Sequence, residues 1–160
     1  MTKRDTPKSA NVALFRRPGF LVRRLHQIHV AIYFQNCEQF GTTPVQSSVM
    51  QVLQAQPGMD QIALAREIGI DRTTASSVLS RLESRGIVRR EADPLDGRNK
   101  RAFLTPAGKT MLRDMQASIE AAHRELVKPL APADREHFLR LLLCLVQANN
   151  DKGRSPLRNP

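Results

Sequence analysis

Between Asp60 and Leu104 the stop signals fall so close together that neither a long helix nor a wide sheet fits. Ile62, Leu64, Ala65 and Ile68 recur at helical spacing, and Gly69 ends that pattern after little more than two turns. Two residues later Asp71 supplies an N-cap for a further helix that carries Thr73 through Arg85 and halts at Gly86. Ile87–Glu91 and Lys100–Leu104 then read as strands on either side of a Pro94-Leu95-Asp96-Gly97 turn region. The stretch is therefore expected to form two short helices across a tight turn, followed by a β-hairpin with a basic tip.

The flanks read as helix. From Phe20 to about Phe40, Leu21, Leu25, Ile28 and Ile32 fall in one stripe at 100° per residue, the expected core face. Thr43-Pro44 opens a second helix that ends at Gln56-Pro57-Gly58. Thr105-Pro106 opens a long one to about Val127, and a last helix runs from Pro132 to about Ala148. The fold class is mainly α with a small β-hairpin. Residues 1–18 are expected to be a flexible basic arm and residues 149–160 a disordered tail. At 160 residues, 41% of them hydrophobic, one fold spanning 19–148 accounts for the chain.

Charge narrows the partner. The chain holds 25 Lys and Arg against 15 Asp and Glu, a net +10, which favours a polyanion. Aromatics make up only 4% and tryptophan is absent, so stacking recognition of single strands has little to work with and duplex DNA is the better candidate. No phosphate-cradling glycine loop, nucleophile elbow or metal-hydrolase motif occurs, and the four histidines lack evident triad partners, so neither catalysis nor a cofactor is expected. With no leader and no apolar run of roughly 18 residues, the reading is a soluble cytoplasmic protein. Cys37 and Cys144 are far apart and read as buried thiols.

Two short helices joined across Ile68-Gly69-Ile70-Asp71 make a helix-turn-helix, whose second helix enters the major groove of DNA. On that helix Ala75, Val78, Leu79 and Leu82 cluster on one side, with Thr73, Ser77, Ser80 and Ser84 opposite. Short hydroxylated side chains let a helix lie close to base edges, and Arg72 and Arg81 flank them. From Arg85 to Arg101 six basic residues (Arg85, Arg89, Arg90, Arg98, Lys100, Arg101) outnumber three acidic ones. Arg98 at the tip suits the minor groove, with Asp96 placed to orient it or its neighbours.

The run from Asp71 to Arg90, then Asp93-Pro94-Leu95-Asp96-Gly97-Arg98 and Leu104-Thr105-Pro106-Ala107-Gly108, resembles the signature of the MarR family, over about residues 20–148. The resemblance implies a winged helix-turn-helix with a helical dimerisation region. It places the DNA-binding part at 43–105 and the dimerisation helices at 20–40 and 106–148. It also implies that the fourth helix reads the major groove and that the arginine of the Asp-x-Arg pattern, here Asp96 and Arg98, enters the minor groove. The serine-rich fourth helix departs from members with bulkier polar residues there. The expected DNA contacts are Arg72, Thr73, Thr74, Ser76, Ser77, Ser80, Arg81, Arg89, Arg98 and Lys100.

The last helix carries Phe138-Leu139 and Leu141 through Val146, apolar nearly all the way round, which calls for a partner. A symmetric homodimer is the simplest, with half-sites about 34 Å apart in a pseudo-palindromic operator. Beside the core stripe of the first helix, Val22, His26, His29 and Tyr33 form a second stripe, suited to a small planar acid or to plain helix packing. Arg16 or Arg17 is placed to pair with a carboxylate. The text from Phe15 to Phe34 is similar to MarR-type repressors of aromatic-acid breakdown, nicotinate breakdown in particular. That likeness implies a repressor released by an aromatic carboxylate such as a hydroxynicotinate, with Arg16, Phe20, His26, His29 and Tyr33 as effector contacts. Open alternatives are an oxidant sensor at Cys37, a metal sensor using His26 and His29 with His123 or His137, and a nonspecific architectural DNA protein.

Overall fold

The structure, a computed structural model, describes residues 13–158. In chain order come α1 (Pro18–Cys37), α2 (Pro44–Ala55), β1 (Met59–Asp60), α3 (Gln61–Ile68), α4 (Arg72–Ser84), β2 (Val88–Ala92), β3 (Lys100–Leu104), α5 (Pro106–Val127) and α6 (Pro132–Asn149). Single 3-10 turns occupy Ala13–Arg16, Glu38–Phe40 and Asn150–Lys152. The chain is mainly helical, as its periodicity requires.

Side chains fix the helix starts. Thr43 and Gln46 form a reciprocal capping box at α2: Thr43 Oγ1 accepts from the Gln46 amide at 3.2 Å and Gln46 Oε1 from the Thr43 amide at 3.0 Å. Asp60 Oδ1 accepts from the amides of Ile62 and Ala63 at 2.8 and 2.9 Å. Asp71 Oδ1 accepts from the Thr74 amide at 2.9 Å. Gly69, at φ 69°, supplies the left-handed residue that ends α3 and turns the chain into α4.

The sheet has three antiparallel strands in the order β1-β3-β2, with Val88 opposite Leu104 and Arg90 opposite Ala102. Met59 pairs with Ala102 on the other side of β3, an edge strand that the sequence reading does not contain. Its two residues are too few to show alternation. Leu53, Leu64, Leu79, Leu82, Val88 and Met115 are almost fully buried, so one core joins α2, α3, α4, the hairpin and α5.

Three boundaries and one face differ from expectation. The first helix starts at Pro18 rather than near Phe20 and gives way at Glu38 to a 3-10 turn. Of the expected basic arm, residues 1–12 lie outside the described residues, and Ala13–Arg16 is a 3-10 turn whose Leu14 carbonyl accepts from the Arg17 amide. The tail expected to be disordered has a 3-10 turn and hydrogen bonds as far as Arg158; residues 159 and 160 lie outside the described residues. Most consequentially, the stripe expected to face the core is turned outward. Leu21 is 50% and Ile28 43% exposed, whereas Tyr33 and Cys37 are buried and α1 packs along α5. Of the second stripe the chain covers only the later part, His29 partly and Tyr33 fully, while Val22 and His26 stay exposed.

Gly108 has a packing role. A Cβ there would stand 2.2 Å from the Ile87 carbonyl oxygen, so only hydrogen fits between the first turn of α5 and the base of β2. Gly108→Ala is expected to cost about 1–3 kcal/mol in urea unfolding. Gly97→Ala, where a Cβ meets nothing within 4 Å, is expected to change stability by less than about 0.5 kcal/mol.

Candidate nucleic-acid interface and effector face

The outward face of α4 is small and polar. Arg72, Thr73, Ser77, Ser80 and Arg81 are exposed, while Ala75, Val78, Leu79 and Leu82 are buried beneath them. Thr74 and Ser76 are only partly accessible. Thr74 serves the cap: its hydroxyl donates to Asp71 Oδ2 at 2.6 Å, and this bond, with the Thr74 amide, holds the Asp71 carboxyl below its usual range. Gln61, at the start of α3, donates from Nε2 to the Arg72 carbonyl at 3.1 Å and so ties the two helices together.

The hairpin sorts its six cations into two groups. Arg85 donates to the carbonyls of Gly41 and Phe40 at 2.7 and 2.8 Å, and Arg101 Nε to the Gly58 carbonyl at 3.0 Å. Arg90 is held by Glu83 of α4, with Nε 2.9 Å from Oε2, and that hydrogen bond is the main reason the Glu83 carboxyl lies below its usual range. Arg89 lies over the Phe103 ring at 4.6 Å and pairs with Glu91. Only Arg98 and Lys100 are exposed cations of this group with no hydrogen bond or ion pair from their side chains among the described residues. Arg89, expected among the DNA contacts, is thus engaged within the hairpin.

Asp96 acts on the backbone of the tip. Its Oδ1 accepts from the Arg98 amide at 3.1 Å and its Oδ2 from Asn99 Nδ2 at 3.0 Å. Asp93 makes a matching bond to the Leu95 amide at 2.8 Å. The carboxylate shapes the loop that presents Arg98, and the side-chain pairing between them does not form. One cleft then brings the parts together: Arg72 of α4, Gln61 and Ile62 of α3, and Arg98, Asn99 and Lys100 of the hairpin all line it. Gln61 and Asn99 were not among the sequence candidates, because neither lies in a periodic pattern.

The expected effector residues are dispersed. Tyr33 turns inward, its hydroxyl 2.9 Å from Thr42 Oγ1 in the core. Phe20 stacks edge-on against Phe15 at 5.4 Å with Arg23 over its ring, and His26 and Arg16 are exposed. His29 stacks on His123 of α5 at 5.7 Å. A cleft at the end of α1 is lined by Phe34, Gln35, Cys37, Glu38, Gly41 and Thr42, with none of the five.

The rival sensors gain little. Burial raises the Cys37 thiol above its ordinary range, the reverse of what a reactive thiolate requires. Cys144, expected to be buried, is exposed on α6. His137 lies 2.5 Å from Arg140, and no group of three or more His, Cys, Asp or Glu among the described residues is placed to hold a metal. No described helix is long and apolar enough to cross a membrane.

Burial, then the neighbouring His123 and His26, lower the pKa of His29 from 6.5. The unfolded chain therefore binds a proton at His29 below about pH 6.5 while the folded protein resists it. Stability is complete above that pH and falls as the pH drops from there through the lowered folded value. Urea midpoints at pH 7.5 and 5.5 are expected to show this loss, and His29→Gln to reduce it.

Known proteins share this architecture. A family model described as "MarR family" matches residues 40–99. The transcriptional regulator HosA of Escherichia coli is 30% identical over 121 residues, 76% of this chain and 88% of its own length. The repressor NicR of Pseudomonas putida is 25% identical over 158 residues, 96% of this chain and all of its own. Among solved structures, one on regulation of DNA binding of Bordetella bronchiseptica BpsR by 6-hydroxynicotinic acid superposes with a TM-score of 0.77 at 29% identity, covering 81% of this chain and 92% of that one. The repressor CouR bound to a 23-mer DNA duplex superposes at 0.79 with 26% identity, covering 84% and 96%. With that likeness running nearly end to end, the chain belongs to the MarR family of transcriptional regulators.

Proposed function

We propose that this regulator is a cytoplasmic homodimeric repressor that binds a pseudo-palindromic operator and leaves it when a small aromatic carboxylate binds. The observation that carries the DNA reading is the shared cleft, lined by Arg72 of α4 and by Arg98 and Lys100 of the hairpin, none of whose side chains makes a hydrogen bond or ion pair among the described residues. In this reading α4 lies in the major groove through Thr73, Ser77 and Ser80, with Thr74 and Ser76 nearer the edge of the contact. Arg72 and Arg81 pair with guanine or phosphate, and Arg98 inserts into the minor groove. Arg89 contributes positive field from its place on Phe103. The region 43–105 is the DNA-binding part; 20–40 and 106–148 are the dimerisation helices.

The dimer reading is supported by α6, none of whose residues is buried. Leu139, Leu141, Leu143 and Leu145 stand 49–57% exposed, and the outward face of α1 adds Leu21, Val22 and Ile28. So much exposed leucine is stable in water only against a matching surface, which a second copy supplies. An effector site using Arg16, Phe20 and His26 with the inner His29 and Tyr33 is then completed between protomers. The choice of a hydroxynicotinate draws support from BpsR, whose structure concerns 6-hydroxynicotinic acid.

Sedimentation of the purified protein is expected to give a dimer. Arg98→Ala is expected to weaken operator binding by about 1–3 kcal/mol and to relax preference for A·T-rich flanks, read by fluorescence anisotropy. Unchanged affinity would remove the minor-groove assignment, and equal affinity for random duplex would favour an architectural role. Titration with 6-hydroxynicotinate and related aromatic acids is expected to release the operator; retention with every acid tested would overturn the effector reading.

A further inference from the structure

Beyond α6 the chain is held against the first helix of the helix-turn-helix. Asn150 clasps Leu157 from both sides: Oδ1 accepts from the Leu157 amide at 2.9 Å and Nδ2 donates to its carbonyl at 3.0 Å. The Arg158 amide donates to the Arg66 carbonyl of α3 at 3.1 Å. The Leu157 side chain lies over Gly69, close enough that a Cβ there would stand 3.0 Å from its Cδ2. Backbone and leucine are thus anchored, while Arg154 and Arg158 are exposed.

That anchoring lays the two arginines beside the cations of the helix-turn-helix. Arg154 and Arg158 share a cleft with Arg66 and Arg72, and Arg72 and Ile62 also line the cleft between α4 and the hairpin. A third cleft joins Arg158 to Asn99 of the hairpin and to Asp60, the N-cap of α3. The side chains of Arg66, Arg72, Arg154 and Arg158 make no hydrogen bond or ion pair among the described residues. Asp60 and Asp71 cap α3 and α4 with their carboxylates; Asp60 also lines the third cleft and the one between α4 and the hairpin, where the arginines and Lys100 outnumber it. Unpaired guanidiniums gathered between the hairpin and Arg158 repel one another until an anion is set against them, and a phosphate backbone supplies the opposite charge.

From this arrangement we infer that the C-terminal segment 150–158 is a third DNA-contacting element, in which Arg154 and Arg158 bind backbone phosphates flanking the half-site read by α4. The inference rests on the proposed DNA reading and adds contacts to it. Phosphate contacts carry no base information, so the segment contributes affinity and salt dependence and leaves sequence preference unchanged.

The test uses the full chain and a duplex selected by the wild-type protein from a random library, with affinity measured from roughly 50 to 300 mM salt. Removing two phosphate contacts per protomer with Arg154→Gln and Arg158→Gln is expected to make the slope of log affinity against log salt shallower by about 2 per protomer. It is also expected to weaken binding about tenfold or more near 100 mM, with the preferred sequence retained. The Arg154→Lys, Arg158→Lys pair is expected to restore most of the slope, and Leu157→Ala, which undocks the segment, to resemble the glutamine pair. A glutamine pair with the wild-type slope, including the case in which only Leu157→Ala weakens binding, overturns the inference and leaves the DNA reading intact. Failure of the wild-type protein to select any duplex overturns both.

Discussion

The joint between the hairpin and α5 holds the functional surface in register. Thr105 donates its hydroxyl to the Gly86 carbonyl at 2.6 Å and its amide to the Ile87 carbonyl at 3.0 Å, while its Oγ1 accepts from the Gly108 amide at 3.0 Å. One residue thereby ends β3, caps α5 and fastens both to the chain where it leaves α4. Gly108 closes the same joint because any side chain would strike Ile87. The hairpin, the end of α4 and the start of α5 are thus fixed to one another through three backbone positions. Any displacement of α5 would therefore carry the hairpin and the end of α4 with it.

Charge is divided by the same economy. Arg85, Arg90 and Arg101 bind carbonyls or a carboxylate and hold the wing to its neighbours, and Arg89 covers Phe103. These four account for much of the basic density of the hairpin yet leave few charges facing outward. The two hairpin cations left over, Arg98 and Lys100, share one cleft with Arg72 of α4. A chain of net charge +10 can bind polyanions anywhere on its surface, and this internal pairing limits where it does so.

Local signals were readable because they act locally. Gly69, Asp71, Gly86 and Thr105 each determine a turn or cap with atoms two or three residues away, and the elements they bound appear at the expected places. Periodicity found both stripes of α1 but not which of their residues the chain covers. That is settled by α5, where His123 meets His29, far along the sequence. The pairing of Glu83 with Arg90 spans a helix end and a strand start and leaves no regular spacing to read. The docking of residues 150–158 hangs on one asparagine side chain, one leucine and one backbone bond to Arg66, too slight a signal within a polar segment. Three of the proposed effector residues, His26, His29 and Tyr33, were drawn from one helix stripe, and the fold divides that stripe between the core and the surface left for a partner.

That division bears on how binding at a distance would act on DNA. On the proposed reading, the outer face of α1 and all of α6 are covered by the second protomer, while the inner face of α1 lies on α5, whose first turn is locked to the wing. A ligand set among α1, α5 and the partner would touch the elements that fix the separation of the two recognition helices. It would shift DNA affinity only as far as it prefers one separation over another, since equal binding to both states moves no equilibrium. His29 and His123, stacked at that contact with protonation of His29 disfavoured, place a polar pair where α1 and α5 pack against each other. An acid that hydrogen-bonds there would change the packing of these two helices before it changed anything at the wing, so the coupling would run through helix position, with the wing following as a rigid part.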